Sequence, residues 1–237
     1  ATASDATNLI HFLVDRKGDL NARDSTSETP LLAALRSGFP DNAIAIINTK
    51  QCDLDLGAGM DQTPLMVAIC QEQLAPARAL VEHKSDLGRR DIMGLTALHR
   101  ACEKGTVQAV QLLVKGRANP QVVDHFGRSP LDIAVERGVF DIERLLLSVC
   151  LHSAARHGDT MNLRFALDAG VDPNTISPKT GCTPLVSAVL CGQEDSVVHT
   201  LLNAKADPTC CAPGGLSAMF VAAEVGNVGA LEAMETG

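Results

Sequence analysis

Apolar positions along this chain fall into short blocks that return at a nearly fixed distance. One block opens with Thr29-Pro30-Leu31, and its counterparts open with Thr63-Pro64-Leu65, Thr96-Ala97-Leu98, Ser129-Pro130-Leu131, Thr183-Pro184-Leu185 and, decayed, Ser217-Ala218-Met219. A second kind of apolar block follows each of these after a glycine or a short polar break, as at 107–114, 142–147 and 197–202. Its spacing places one stripe on one face of a helix, so the pattern predicts two short antiparallel helices per unit. The leucine positions are separated by 34, 33 and 33 residues from Leu31 to Leu131, then by 20 to Leu151, then by 34 and 34 to Met219. A period near 33 predicts a solenoid, in which each unit buries its apolar face only against its neighbours.

The residues of the phrase account for its recurrence. Thr or Ser accepts a bond from an orphan helix N–H, Pro fits the first turn because it has no N–H to lose, and Leu points inward. The first helix is predicted to end after about two turns at Gly38, Gly105, Gly138, Gly158, Gly192 and Gly226, each suited to the left-handed conformation that closes a helix. Helices this short do not persist alone, so stacking is obligatory. Between pairs, segments such as 119–127 and 172–181 are rich in Pro, Asn, Asp and Gly and are predicted as projecting turns or hairpins.

The unit running from Asp91 through Thr96-Ala97-Leu98-His99 to Gly105, with the apolar run 110–114 and Ala118-Asn119-Pro120 after it, closely resembles the ankyrin repeat. The resemblance extends over essentially the whole chain. It implies an all-α ankyrin-repeat solenoid of antiparallel helix pairs with projecting β-hairpin or turn fingers. The phrases divide it into a first block, 1–148, with a partial repeat at 1–23 and repeats starting near 24, 58, 91 and 124, and a second block, 149–237, with repeats starting near 149, 179 and 213, the last truncated. The residues at 9–14 and 18–21 read as a second helix and its turn without a first helix, and 228–234 as a second helix that stops early. Both ends are therefore expected to be cut from a longer protein, since terminal repeats need polar caps. The interval of 20 between Leu131 and Leu151 is about thirteen residues short. Either this repeat lacks its finger near 148–150, or a loop has been left out there, the reading that the abrupt junction favours.

Composition narrows the function classes. The chain has 237 residues, a net charge of −8, 3% aromatic residues and neither Trp nor Tyr, so neither electrostatics nor stacking favours nucleic acid. No apolar run approaches the roughly 20 residues of a membrane span, and the N-terminus lacks a signal-peptide pattern, so direct membrane insertion is not expected. The eight cysteines form no Cys-x-x-Cys pair, which favours free, packed thiols in a reducing, cytoplasmic location, Cys210-Cys211 included. No phosphate-cradling loop or His-Glu-x-x-His motif occurs, and His152-Ser153 has no evident acid partner. The expectation is therefore no enzyme activity, no cofactor and no metal.

What remains is an interaction protein, an adaptor or scaffold segment. The alternatives are a structural spacer between other domains and a substrate-recruiting arm of an attached enzyme. Aligned on the phrase, the finger positions are 59–62, 92–95 and 125–128, and they carry Met60, Ile92, Met93, Leu95 and Phe126 where solvent favours polar residues. The resemblance implies that partners use such tips and the adjoining first-helix face, which makes these residues, with His125, Arg128, Lys104 and Arg137, the candidate contacts for an extended or helical protein segment with apolar anchors. Gln71, Glu72, Glu103, Glu136, Arg156 and His157 add mixed charge to that face. The resemblance also implies that His99 is structural, bonding across neighbouring turns. Asn21 and Asn174 occupy the turn position at which some ankyrin repeats are hydroxylated, with a purely structural asparagine as the alternative.

Overall fold

The structure is a computed structural model that describes residues 18–177, 180–210 and 216–236, the side chain of Thr236 excepted. The segment at 9–14 and Cys211 lie outside the described residues. Thirteen helices lie within them: α1 (Pro30–Arg36), α2 (Pro40–Asn48), α3 (Pro64–Cys70), α4 (Leu74–Glu82), α5 (Ala97–Lys104), α6 (Val107–Lys115), α7 (Pro130–Glu136), α8 (Phe140–His157), α9 (Thr160–Asp168), α10 (Pro184–Leu190), α11 (Asp195–Asn203), α12 (Ala218–Val225) and α13 (Val228–Thr236). The chain divides into two compact units, residues 1–142 and 143–237.

In the first unit α1, α3, α5 and α7 stack in one layer, each on the next, and α2, α4 and α6 stack in a second. Within the second unit α10 packs on α12, while α9, α11 and α13 stack in turn. The phrase starts these helices as its chemistry requires. The hydroxyls of Thr29, Thr63 and Thr183 accept the N–H of Leu32, Met66 and Val186, each at 3.3 Å. Ser129 and Ser217 do the same for Asp132 and Phe220, each at 3.2 Å. The leucine two residues after each cap is fully buried at Leu31, Leu65, Leu98 and Leu185, a burial that stabilises by about 1.5–3 kcal/mol per side chain.

All six helix-closing glycines have φ between 63° and 76°. The second repeat has no glycine at this place, and Glu72 takes up φ 57° instead. Fingers are tight hydrogen-bonded turns; among the described residues the β-hairpin expectation reduces to one isolated bridge, Ala58 to Gln62. Residues 148–150 are helical, inside the 18-residue α8. Val149 and Cys150 stand where other phrases carry the capping hydroxyl and the Pro or Ala, and α8 has no glycine or proline before Gly158. Nothing there halts the helix, so the second helix of one repeat runs into the first helix of the next.

Candidate functional site

Three fingers of the first unit are each built on an aspartate carboxylate. Asp91 accepts the N–H of Met93 at 2.9 Å and of Leu95 at 3.0 Å, while its own N–H donates to the Leu95 carbonyl at 3.0 Å. Asp124 repeats the device with Phe126 at 2.8 Å and Arg128 at 2.9 Å, and Asp24 repeats it with Thr26 and Glu28. Sequence reasoning passed over these aspartates, although Asp91 and Asp124 lie 33 residues apart in register. In the second repeat Ala58 replaces the aspartate, and Gly59, Met60 and Asp61 all turn through positive φ.

Adjacent tips are joined through the backbone. Ile92 N–H donates to the Met60 carbonyl at 3.2 Å, and His125 N–H donates to the Met93 carbonyl at 3.1 Å. Arg90 adds a second tie, from Nε to the Gly94 carbonyl at 3.1 Å and from Nη2 to the Val123 carbonyl at 2.6 Å. The ladder fixes the main chain and turns side chains outward: Met60 is 58% exposed, Ile92 52%, Met93 39% and Phe126 66%. His125 is exposed beside Phe126. Leu95 is the exception and corrects the expectation for it. It is 4% exposed, because it closes the Asp91 turn at the root of its finger and points into the core.

The fingers at 91–95 and 124–128 are each fastened to the first helix behind them by arginine. Arg100, on α5, reaches Asp91 at 2.5 Å and Glu103 at 2.9 Å. Arg128 holds Asp124 through two nitrogens, at 3.0 and 2.9 Å, reaches Glu136 at the end of α7 at 3.2 Å, and lies 5.3 Å from the centre of the Phe126 ring. Burial raises the Asp124 pKa, but the backbone and side chain of Arg128 and the N–H of Phe126 outweigh it, and the net shift is downward. Arg128 is therefore engaged within the molecule, and its guanidinium lies against the Phe126 ring. Lys104 and Arg137 are exposed at corresponding places, just before Gly105 and Gly138, and make no ion pair among the described residues.

His99 is fully buried. Its Nδ1 accepts from the N–H of Thr96 at 3.1 Å and faces the Thr96 hydroxyl at 2.8 Å, so the proton sits on Nε2, which donates to the Arg128 carbonyl at 3.2 Å. That bond ties one repeat to the next finger. Asn21 and Asn174 act similarly: the first accepts the N–H of Asp53 and the second that of Asp207, each at 2.7 Å. A separate pocket of about 470 Å³ is lined by Ile47, Lys50, Cys52, Leu54, Glu82, His83 and Lys84. Burial raises the Cys52 thiol pKa. The seven cysteines among the described residues are free, with Cys102 pushed to about 12 and Cys150 to about 11 by burial. Among the described residues no cluster of His, Cys, Asp and Glu is placed to hold a metal ion, and no helix is long and apolar enough to cross a membrane.

The fold and its finger geometry define a stacked helix-pair repeat protein. Family comparison places the repeats directly: ankyrin repeats (3 copies) match residues 1–91 and 84–150, and ankyrin repeats (many copies) match 151–198. The chain belongs to the ankyrin repeat family. Ankyrin repeats in general serve as protein–protein interaction modules.

The chain is similar to human ankyrin repeat domain-containing protein 63, 40% identical over 82 residues, which is 33% of this chain and 22% of that protein. It is 28% identical over 235 residues to the zebrafish (Danio rerio) neurogenic locus notch homolog protein 1, covering 92% of this chain and 9% of the relative. It is 33% identical over 102 residues to the pig (Sus scrofa) NF-kappa-B inhibitor alpha, covering 40% of this chain and 32% of that protein. The chain thus spans less than a third of each of these relatives.

Proposed function

We propose that this chain is an adaptor or scaffold segment that works in the cytoplasm and captures a partner protein on the fingertips and first-helix face of its first unit. The observation that carries this reading is the row Met60, Ile92, Met93 and Phe126, four exposed apolar side chains on successive tips held by backbone hydrogen bonds. Together they present on the order of a few hundred Å², the scale at which an apolar patch on a soluble protein points to interaction. A rigid mount matters because the entropy of ordering the site is already met on folding. His125, Lys104 and Arg137 border the row, whereas Arg128 contributes by positioning Phe126. Among the relatives, one is named as an inhibitor of NF-kappa-B, a role that operates through another molecule.

The test replaces Ile92, Met93 and Phe126 by Ser together, checks that the melting transition is unchanged, and compares proteins recovered from cell extract by parent and variant. Loss of the partners recovered by the parent is expected. Equal recovery by a folded variant would remove the fingertip site and leave the array as a spacer. Asn21 and Asn174 are assigned as staples between turns, on the bonds that their amide oxygens accept; mass analysis of peptides from native cells, expected to show both unmodified, tests the hydroxylation alternative.

A further inference from the structure

We infer that the segment received by the first unit is an amphipathic α-helix, with apolar residues at heptad spacing on one side and carboxylates at heptad spacing on the flank. This rests on the docking surface proposed above and adds the shape and charge of its occupant. The tip row and the row formed by Lys104 and Arg137 stand at opposite ends of the first helices. Helix α5 has eight residues and α7 seven, so the floor from finger root to helix end is about 10–12 Å long at 1.5 Å per residue. That is the diameter of a helix with its side chains, about 10–12 Å, and is more than twice the 4.7–4.9 Å width of one extended strand.

The second dimension agrees with the first. Stacked helices lie about 8–10 Å apart, and seven residues of α-helix rise about 10.5 Å. A helix laid across the repeats therefore meets one repeat per heptad, with one anchor against Met60, one against Ile92 and Met93, and one against Phe126. The floor between the rows is closed by intramolecular ion pairs of Arg100 and Arg128, so those guanidiniums have their carboxylates already. Among the described residues Lys104 and Arg137 have none, and they face the flank of the bound helix in adjacent repeats. Glu72, exposed one repeat earlier beside Gln71, opposes a third carboxylate and so gives the bound helix a direction.

The probe is a displayed library of helical peptides about 22 residues long, with stripe and flank positions randomised. It is selected against the folded chain, and enriched peptides are then measured singly. Expected winners carry Leu, Met or Phe at heptad spacing and Asp or Glu seven apart on one flank. Lys104→Glu with Arg137→Glu should weaken them about tenfold or more, and exchanging the peptide carboxylates for Lys should restore binding to that variant. Winners that need Ile92 and Phe126 but are indifferent to the charge reversal, or that carry Pro through their centre, would overturn the helix-and-carboxylate inference and leave the docking surface standing. Winners unaffected by Ile92→Ser with Phe126→Ser, or a selection that yields no binder, would overturn both.

Discussion

Gly94 offers the sharpest test of the fingertip ladder. Its φ is +78°, and a β-carbon added there would sit 2.6 Å from His125 Cδ2, 2.9 Å from Arg90 Nη2 and 2.9 Å from the backbone nitrogen of His125. The His125 ring can swing aside, but Arg90 Nη2 would have to loosen its bond to the Val123 carbonyl. The backbone nitrogen cannot move without lengthening its bond to the Met93 carbonyl. Gly94→Ala therefore incurs about 1–2 kcal/mol for the left-handed conformation and about 0.5–1.5 kcal/mol for the weakened bonds, or about 1.5–3.5 kcal/mol together. Gly127 is the natural control, since its φ is +77° and nothing lies within 4 Å of its would-be β-carbon. Gly127→Ala should show the dihedral cost alone, with the same small gain from a stiffer unfolded chain that Gly94→Ala enjoys. Urea unfolding of both variants beside the parent measures the difference, expected to be about 1 kcal/mol with Gly94→Ala the less stable. Equal destabilisation would refute the claim that adjacent tips are held in backbone register.

Glu72→Gly should stabilise the second repeat by about 0.5–1 kcal/mol, since glycine adopts φ 57° without strain; a lowered urea midpoint would contradict it. Asn174→Ala should cost about 0.5–1.5 kcal/mol and speed hydrogen exchange at the Asp207 amide, which loses its acceptor. Burial lowers the pKa of His99 and of His152 despite bonds that oppose it, so both are neutral when folded and bind protons more readily when unfolded. Stability should then be full above about pH 6.5 and fall as pH drops from there toward the folded-state pKa values, a slope that His99→Gln with His152→Gln should flatten. Brief alkylation of the native protein should label the exposed Cys191 and spare Cys102, whose thiol is fully buried; rapid labelling of Cys102 would show that the α5 layer opens.

The helix pairs were legible because their signals are local. A capping hydroxyl, a proline at the first turn and a glycine at the close each act within a few residues, and the 33-residue period then dictates stacking. The finger residues were half legible. Alignment on the phrase placed Met60, Ile92, Met93 and Phe126 at the tips, but it also placed Leu95 among them. Only the turn geometry separates a residue at the tip from the one that closes its root. The role of Arg128 was hidden for a related reason. A guanidinium eight residues from Glu136 in sequence is neutralised through a turn and a whole helix, a distance that periodicity does not report. The unbroken α8 was legible only as one of two alternatives, because the spacing announced a defect, whereas the residues at 148–150 contain nothing that stops a helix.

His99 and His152 show how the same slot changes meaning with its surroundings. Each follows the buried leucine of its phrase, Leu98 and Leu151. At the first site the helix begins at Ala97, so the N–H of Thr96 is free to donate to Nδ1, and Nε2 alone carries a proton. At the second the helix has run on from Phe140, and Nδ1 meets the Ser148 carbonyl at 2.8 Å while Nε2 meets the Thr175 carbonyl at 3.1 Å. A neutral imidazole has one N–H and satisfies one of those carbonyls; the imidazolium satisfies both. Protonation therefore breaks a bond at His99 and makes one at His152. Burial acts downward on each and outweighs the upward pull of Asp124 on His99, so histidine side-chain NMR across a pH series should show both rings titrating below the ordinary histidine value. Titration of either ring at its ordinary value would refute the dry setting assigned to it.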